Sequence, residues 1–348
     1  MKETTISLYD RSDMRALLTG FPHQVEDAVR IGREAALVPL KGKPASIVVS
    51  GLGGSAIGGD LLRSYLCDRL GIPFSVNRYY ALPEHVGPSA LVVISSYSGN
   101  TEETVASYHD AMKKKAQVIC FTSGGEIASL ARKNRQTLVV LPKGYPPRTA
   151  LGYSFFPMLL ALARYRIIPS QDAAIRETVT LLRKLSVRYR LTGQKNPALE
   201  LAKQLYNKLP VVYSSTERTD AVNLRWRGQL SENAKVLAFG HVFPEMNHNE
   251  LVGWKVLRRL MEEMAVVYLH DREDHPRVTL RMEVARGIIG EYASKIVDVH
   301  SEGRSRLART FSLVHLGDWL SFYLSMFNGV DPTPVSVIDY LKRRLDKQ

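Results

Sequence analysis

Two short runs of glycine and hydroxyl side chains are the residues of this sequence best suited to binding chemistry. Residues 50–56 (SGLGGSA) follow an apolar, β-branched run, Ser46–Ser50, and open a helical pattern. Glycine lets backbone N–H groups at Gly53 and Gly54 converge on an anion, and a helix N-terminus adds partial positive charge. Residues 95–101 (SSYSGNT) sit in the same kind of place, with Ser95, Ser96, Ser98 and Thr101 gathered around Gly99. Side-chain donors, backbone donors and helix dipole together suit a phosphate monoester. The plainer reading is that these residues only turn and cap the chain, as such residues commonly do. Gly51, Gly53 and Ala56 also fit a dinucleotide fingerprint, which needs an acidic residue about 20 positions on. Asn77 and Arg78 stand there instead, so only an NADP-type reading through Arg78 stays open. Residues 241–250 (HVFPEMNHNE) hold His241, Glu245, His248 and Glu250 and invite a zinc reading. They lack H-E-x-x-H, and Pro244 breaks any helix that would align the ligands, so no metal is expected. Asn247 and Asn249 read as a turn and helix cap around His248.

Elements must hold these loops, and the first half supplies them as repeated strand–loop–helix units. Apolar runs at 46–50, 90–96, 117–122 and 137–141 alternate with helical patterns, which predicts a parallel sheet with helices on both faces. A helix from about 153 to 165 and a long one over 172–191, ending in a loop at 193–197, lead to a second half of similar build. Strands are expected there at 210–215, 236–239, 264–270 and 296–299, with helices at 220–234, 277–292 and 306–327. The tail, 335–345, reads as a basic helix. The predicted fold is therefore α/β, with two αβα sandwich domains and parallel sheets. The expected division is an N-terminal helical segment over 1–45, a first domain over 46–160, connecting helices over 161–198 and a second domain over 199–348.

Composition narrows the function. At 348 residues, with 45% hydrophobic and 23% charged side chains, the chain can build more than one core and is not disordered. No stretch reaches about 18 consecutive apolar residues, so no membrane span is expected. Only Cys67 and Cys120 occur, too few for a disulfide framework or a cysteine zinc site. The N-terminus lacks the apolar stretch of a signal peptide, which points to the cytoplasm. A net charge of +13 could draw nucleic acid or acidic substrates. Its basic residues are dispersed among acidic neighbours, which favours a local anion site over nucleic-acid binding.

The strand–SYSGNT–helix turn resembles that of the SIS (sugar isomerase) domain family, which binds phosphosugars. GLGGSAIGGDLL, SSYSGNTEET, PPRTALGYS, LSENAK and PEMNHNELVGW, in that order, resemble the bifunctional phosphoglucose/phosphomannose isomerases of that family. The resemblance implies two SIS domains and a homodimer. It implies that Ser55, Ser96, Ser98 and Thr101 hold the sugar phosphate, with backbone from Gly53 and Gly54. It assigns Glu232 as catalytic base, Arg148 to the reacting carbons, His248 to ring opening across the dimer interface, and Lys342 to the ring oxygen. The lysine's place on the tail helix is the loosest of these matches. Aldose–ketose isomerisation through a cis-enediol needs a base, a fixed cation and a separate ring-opening group, which these residue types supply. It needs neither a metal nor a redox cofactor. The expected function is interconversion of glucose 6-phosphate and mannose 6-phosphate with fructose 6-phosphate. Thr333 is a candidate, by type, for making room at the second carbon. A non-catalytic phosphosugar sensor and an NADP oxidoreductase are the competing readings.

Overall fold

The computed structural model describes residues 1–190 and 196–345. The central strands are short apolar runs buried along almost their whole length, as a parallel sheet with covered faces requires, while the edge strands are only partly buried. The first sheet comprises β1 (Ser46–Ser50), β2 (Phe74–Asn77), β3 (Ala90–Ser95), β4 (Gln117–Thr122) and β5 (Thr137–Val140). All pairs are parallel, in the order β2-β1-β3-β4-β5. Every residue of β1 and β3 is buried. Val48, Val92, Ile94, Tyr108 and Cys120 lie in one apolar cluster of this unit.

The second sheet comprises β6 (Leu209–Ser215), β7 (Phe239–Phe243), β8 (Met264–His270) and β9 (Lys295–His300), again parallel, in the order β7-β6-β8-β9. Tyr213, Phe243, Met246, Trp254 and Tyr268 form its core cluster. The structure thus has the two parallel-sheet αβα layers read from the sequence. The compact units do not follow chain order. Gly20–Arg183 and Gly303–Phe311 make up the unit with the first sheet; Met1–Thr19, Lys184–Glu302 and Ser312–Gln348 make up the other.

Several expected boundaries move by one or two residues, and one strand moves further. The strand expected at 236–239 runs instead over Phe239–Phe243, because pairing with β6 sets its register, Val211 opposite Phe239 and Ser215 opposite Phe243. The stretch VLAFGHVF is apolar at both ends, so composition did not choose between them. The helix expected from about 153 starts at Leu151, directly after a 3₁₀ turn, Pro147–Thr149. The loop expected at 193–197 lies, for residues 193–195, outside the described residues. At its end the Asn196 side chain caps the helix Pro197–Leu205, accepting from the Ala198 and Leu199 N–H groups.

Candidate active site

In the first unit strand order reverses between β1 and β3, and in open α/β sheets the crevice at such a reversal, outside the carboxyl ends, is where ligands sit. Both hydroxyl–glycine loops emerge there. β1 leads into the helix Gly53–Leu66, and β3 leads through 96–101 into the helix Glu102–Lys113. The loops are stitched together. The Ser55 hydroxyl accepts from the Tyr97 N–H at 3.0 Å, and Ser95 Oγ donates to the Ser55 carbonyl at 3.2 Å. Ser96 Oγ accepts from the Gly99 N–H at 3.1 Å and donates to Thr101 Oγ1 at 3.2 Å. Gly99 has φ +77°, and a Cβ there would lie 1.9 Å from the Gly124 carbonyl oxygen. Only glycine fits that turn.

The plain capping reading does not account for Thr101. It is the N-cap of the helix Glu102–Lys113, yet its side chain makes no capping hydrogen bond. Ser98 is exposed, while Ser55 and Ser96 are buried. The structure thus brings Ser55, Ser96, Ser98 and Thr101 to one switch-point crevice, with Gly53 and Gly54 in the first turn of the neighbouring helix.

Arg148 joins this group through its backbone. A Cβ on Gly54 would lie 2.6 Å from the Pro147 oxygen and 3.0 Å from the Arg148 nitrogen, so the missing side chain is what lets the PPR turn approach. Arg148 is 4% exposed, which removes the reading of it as an ordinary surface arginine. Arg78, on which an NADP reading depended, forms an ion pair with Asp60.

The second unit carries the other candidates. Glu232 lies half-buried in the last turn of the helix Asp220–Ala234, which ends because Lys235 turns left-handed at φ 57°. Lys235 Nζ donates to the Glu232 carbonyl and, at 2.6 Å, to that of Pro334. This helix is pinned along its length. Arg225 donates from Nε and Nη2 to Asp318 at 3.1 and 2.9 Å. Gln229 donates to the same carboxylate at 2.8 Å, and Asn233 donates to Ser321 Oγ at 2.9 Å. Sequence reading missed Asp318 and Lys235; Lys235 was in view as the last residue of LSENAK.

His248 ends a 3₁₀ turn, Glu245–His248, and is exposed. Asn249 caps the following turn, Glu250–Gly253, as its position suggested, accepting from the Glu250 N–H. His241 lies instead on β7, where its Nδ1 accepts from the Val242 N–H at 2.7 Å. Lys342 occupies the last turn of the helix Ser336–Leu345, none of whose residues is buried. Among the described residues no group of three or more His, Cys, Asp or Glu side chains is placed to hold a metal ion. Among them, too, no helix is long and apolar enough to cross a membrane.

Residues 194–345 match a family described as the bacterial phospho-glucose isomerase C-terminal SIS domain. A bifunctional phosphoglucose/phosphomannose isomerase of Caldicellulosiruptor bescii is 43% identical over 326 residues, 93% of this chain and 96% of the relative. Another, of Aquifex aeolicus, is 35% identical over 312 residues, 89% and 92% of the two chains. Among solved structures, a glucose-6-phosphate isomerase like protein from Thermus thermophilus superposes with TM-score 0.64 at 18% identity, covering 95% of this chain and 96% of that one. The C-terminal domain of glucosamine-fructose-6-phosphate aminotransferase from Francisella tularensis gives TM-score 0.67 at 14% identity, over 91% and 97%. At those identities the likeness concerns the fold.

Proposed function

This chain belongs to the bifunctional phosphoglucose/phosphomannose isomerases, and from that premise we propose how its residues divide the reaction. The enzyme interconverts glucose 6-phosphate and mannose 6-phosphate with fructose 6-phosphate. In our reading the sugar phosphate sits in the switch-point crevice, bound by Ser55, Ser96, Ser98, Thr101 and the backbone N–H groups of Gly53 and Gly54. The observation that supports this is that the two hydroxyl–glycine loops, hydrogen-bonded to each other, follow the adjacent strands β1 and β3, and that the cap residue between them and the second helix, Thr101, does not spend its side chain on capping.

His248 then opens the sugar ring, with Lys342 beside the ring oxygen. Glu232 removes the proton from one of the first two carbons and returns it to the other, which a carboxylate can do in either direction. Arg148 stabilises the negative oxygen of the cis-enediolate, since a guanidinium stays charged throughout. Glucose and mannose phosphates differ only at the second carbon, so returning the proton to either face of the enediol yields either sugar. The enzyme works in the cytoplasm as a homodimer, with Glu232 and Arg148 from one protomer and His248 from its partner. It engages neither nucleic acid nor membrane.

Glu232→Gln tests the central assignment, because the amide keeps size and polarity but accepts no proton. Isomerase turnover should fall about 10²–10⁴-fold, with phosphosugar affinity nearly unchanged by calorimetry. Retention of more than half the turnover would remove Glu232 from its role.

A further inference from the structure

The turn that carries His248 is anchored on both sides, although the imidazole itself is exposed. Before it, Met246 is fully buried in the second core. After it, Asn249 Oδ1 accepts from the Glu250 N–H at 2.6 Å, and Asn249 Nδ2 donates to Glu245 Oε1 at 3.1 Å. The Glu250 carboxylate then reaches back to β6, where it accepts the hydroxyl hydrogen of Tyr213. The same hydroxyl oxygen accepts from Trp254 Nε1 at 3.0 Å. Tyr213 has no exposed surface and packs against Phe243 and Tyr268, with ring centroids 6.1 and 5.7 Å away.

A buried hydroxyl and a half-buried carboxylate are costly unless they bond each other, and an O–H to carboxylate bond is among the stronger kinds. Here that bond ties the segment just after His248 to a strand of the second sheet. His248 itself is exposed, so it is the segments on either side that hold it. Acid–base transfer tolerates little displacement of the group that performs it.

We propose that Tyr213 and Glu250 are positioning residues for ring opening: their hydrogen bond sets the height of the His248 turn above β6, and neither touches substrate. The inference rests on the ring-opening reading of His248 given above. Burial and the neighbouring Glu250 raise the Tyr213 phenol above its ordinary pKa, so it remains the donor at neutral pH.

The test separates ring opening from proton transfer. In a Glu232→Gln background isomerisation is slowed about 10²–10⁴-fold, while exchange between the α and β anomers of glucose 6-phosphate still requires the ring to open and close. That exchange is read by NMR magnetisation transfer, after subtracting the uncatalysed rate. Adding Tyr213→Phe or Glu250→Ala should slow it about 10- to 100-fold, with glucose 6-phosphate affinity held within about twofold. Glu250→Gln still accepts the Tyr213 hydrogen and should keep most of the rate. If Tyr213→Phe fails to fold, Glu250→Ala and Glu250→Gln decide alone. Exchange within about threefold of the background in the variants that fold, while His248→Ala abolishes it, overturns the positioning role. So does a loss matched by an equal loss of affinity. Exchange that survives His248→Ala instead overturns the ring-opening reading, and the inference falls with it.

Discussion

A hydroxyl at the end of a strand can cap, turn or bind, and Ser98 and Thr101 show how little separates these roles in sequence. Thr101 stands at the cap position but its Oγ1 accepts from Ser96 rather than from the helix. The sugar phosphate is remote from the reacting carbons, so hydroxyls that hold it should contribute equally to ground and transition states. Ser98→Ala and Thr101→Ala are therefore expected to raise KM more than they lower kcat, and inorganic phosphate should compete weakly at the same place. Steady-state kinetics on fructose 6-phosphate decides this. A collapse of kcat at constant KM would bring the loop close to the chemistry. Residue types at 55, 96, 98 and 101 were legible in sequence. Arg148 was legible as a type, while its burial, and the approach of its PPR turn to Gly54, were not.

At the scale of elements, the helices hold side chains in place by buried polar contacts rather than by apolar packing alone. In the helix Arg306–Phe327, His315 Nε2 lies 2.9 Å from Ser186 Oγ and accepts from Trp319 Nε1 at 3.2 Å. Burial pushes the imidazole down to about 3, with Arg225 adding to the effect. Between pH 6.5 and about 3 the unfolded chain therefore binds a proton at this position that the folded one does not. Stability from His315 is complete above pH 6.5 and is lost as pH falls toward 3, at up to about 1.4 kcal/mol per pH unit. Asp318, whose carboxyl burial raises, leans the other way, so the informative comparison is between chains differing only at position 315. Denaturation midpoints of wild type and His315→Asn, measured from pH 7 to pH 4, should show the shallower decline in the variant. Equal slopes would mean that His315 is not held neutral.

For the whole molecule, the proposed residues are divided between the two compact units: the phosphate crevice and Arg148 belong to one, Glu232, His248 and Lys342 to the other. A homodimer with His248 reaching across would carry two equivalent composite sites. Mixing the nearly inactive Glu232→Gln and His248→Ala chains tests this. In a mixed dimer with shared sites, one site collects both lesions and the other neither. With random pairing, half the dimers are mixed, so about a quarter of full activity should return. No recovery, with mixing confirmed by differently tagged chains, would put His248 in the same protomer's site as Glu232.

Sequence alone determined the local pieces. Most parallel strands announced themselves as short apolar runs, since burial on both faces removes the polar alternation; the edge strand β2, Phe74–Asn77, half-buried and carrying Ser75 and Asn77, did not. The phosphate loops did so as glycine and hydroxyl residues between strand and helix, because few other residues can make such a turn. The five motifs in order identified the chemistry. Tertiary structure decided what depends on residues distant in the chain. β7 starts at Phe239 because β6 dictates its register, and the turn that carries the buried Arg148 closes on Gly54, which has no side chain to hold it off. Asp318 is tied to the Glu232 helix, and Tyr213 to the His248 turn, by hydrogen bonds spanning 93 and 37 positions. Periodicity and motif spacing carry no record of such pairings, because a buried polar group is satisfied by whatever the fold brings beside it.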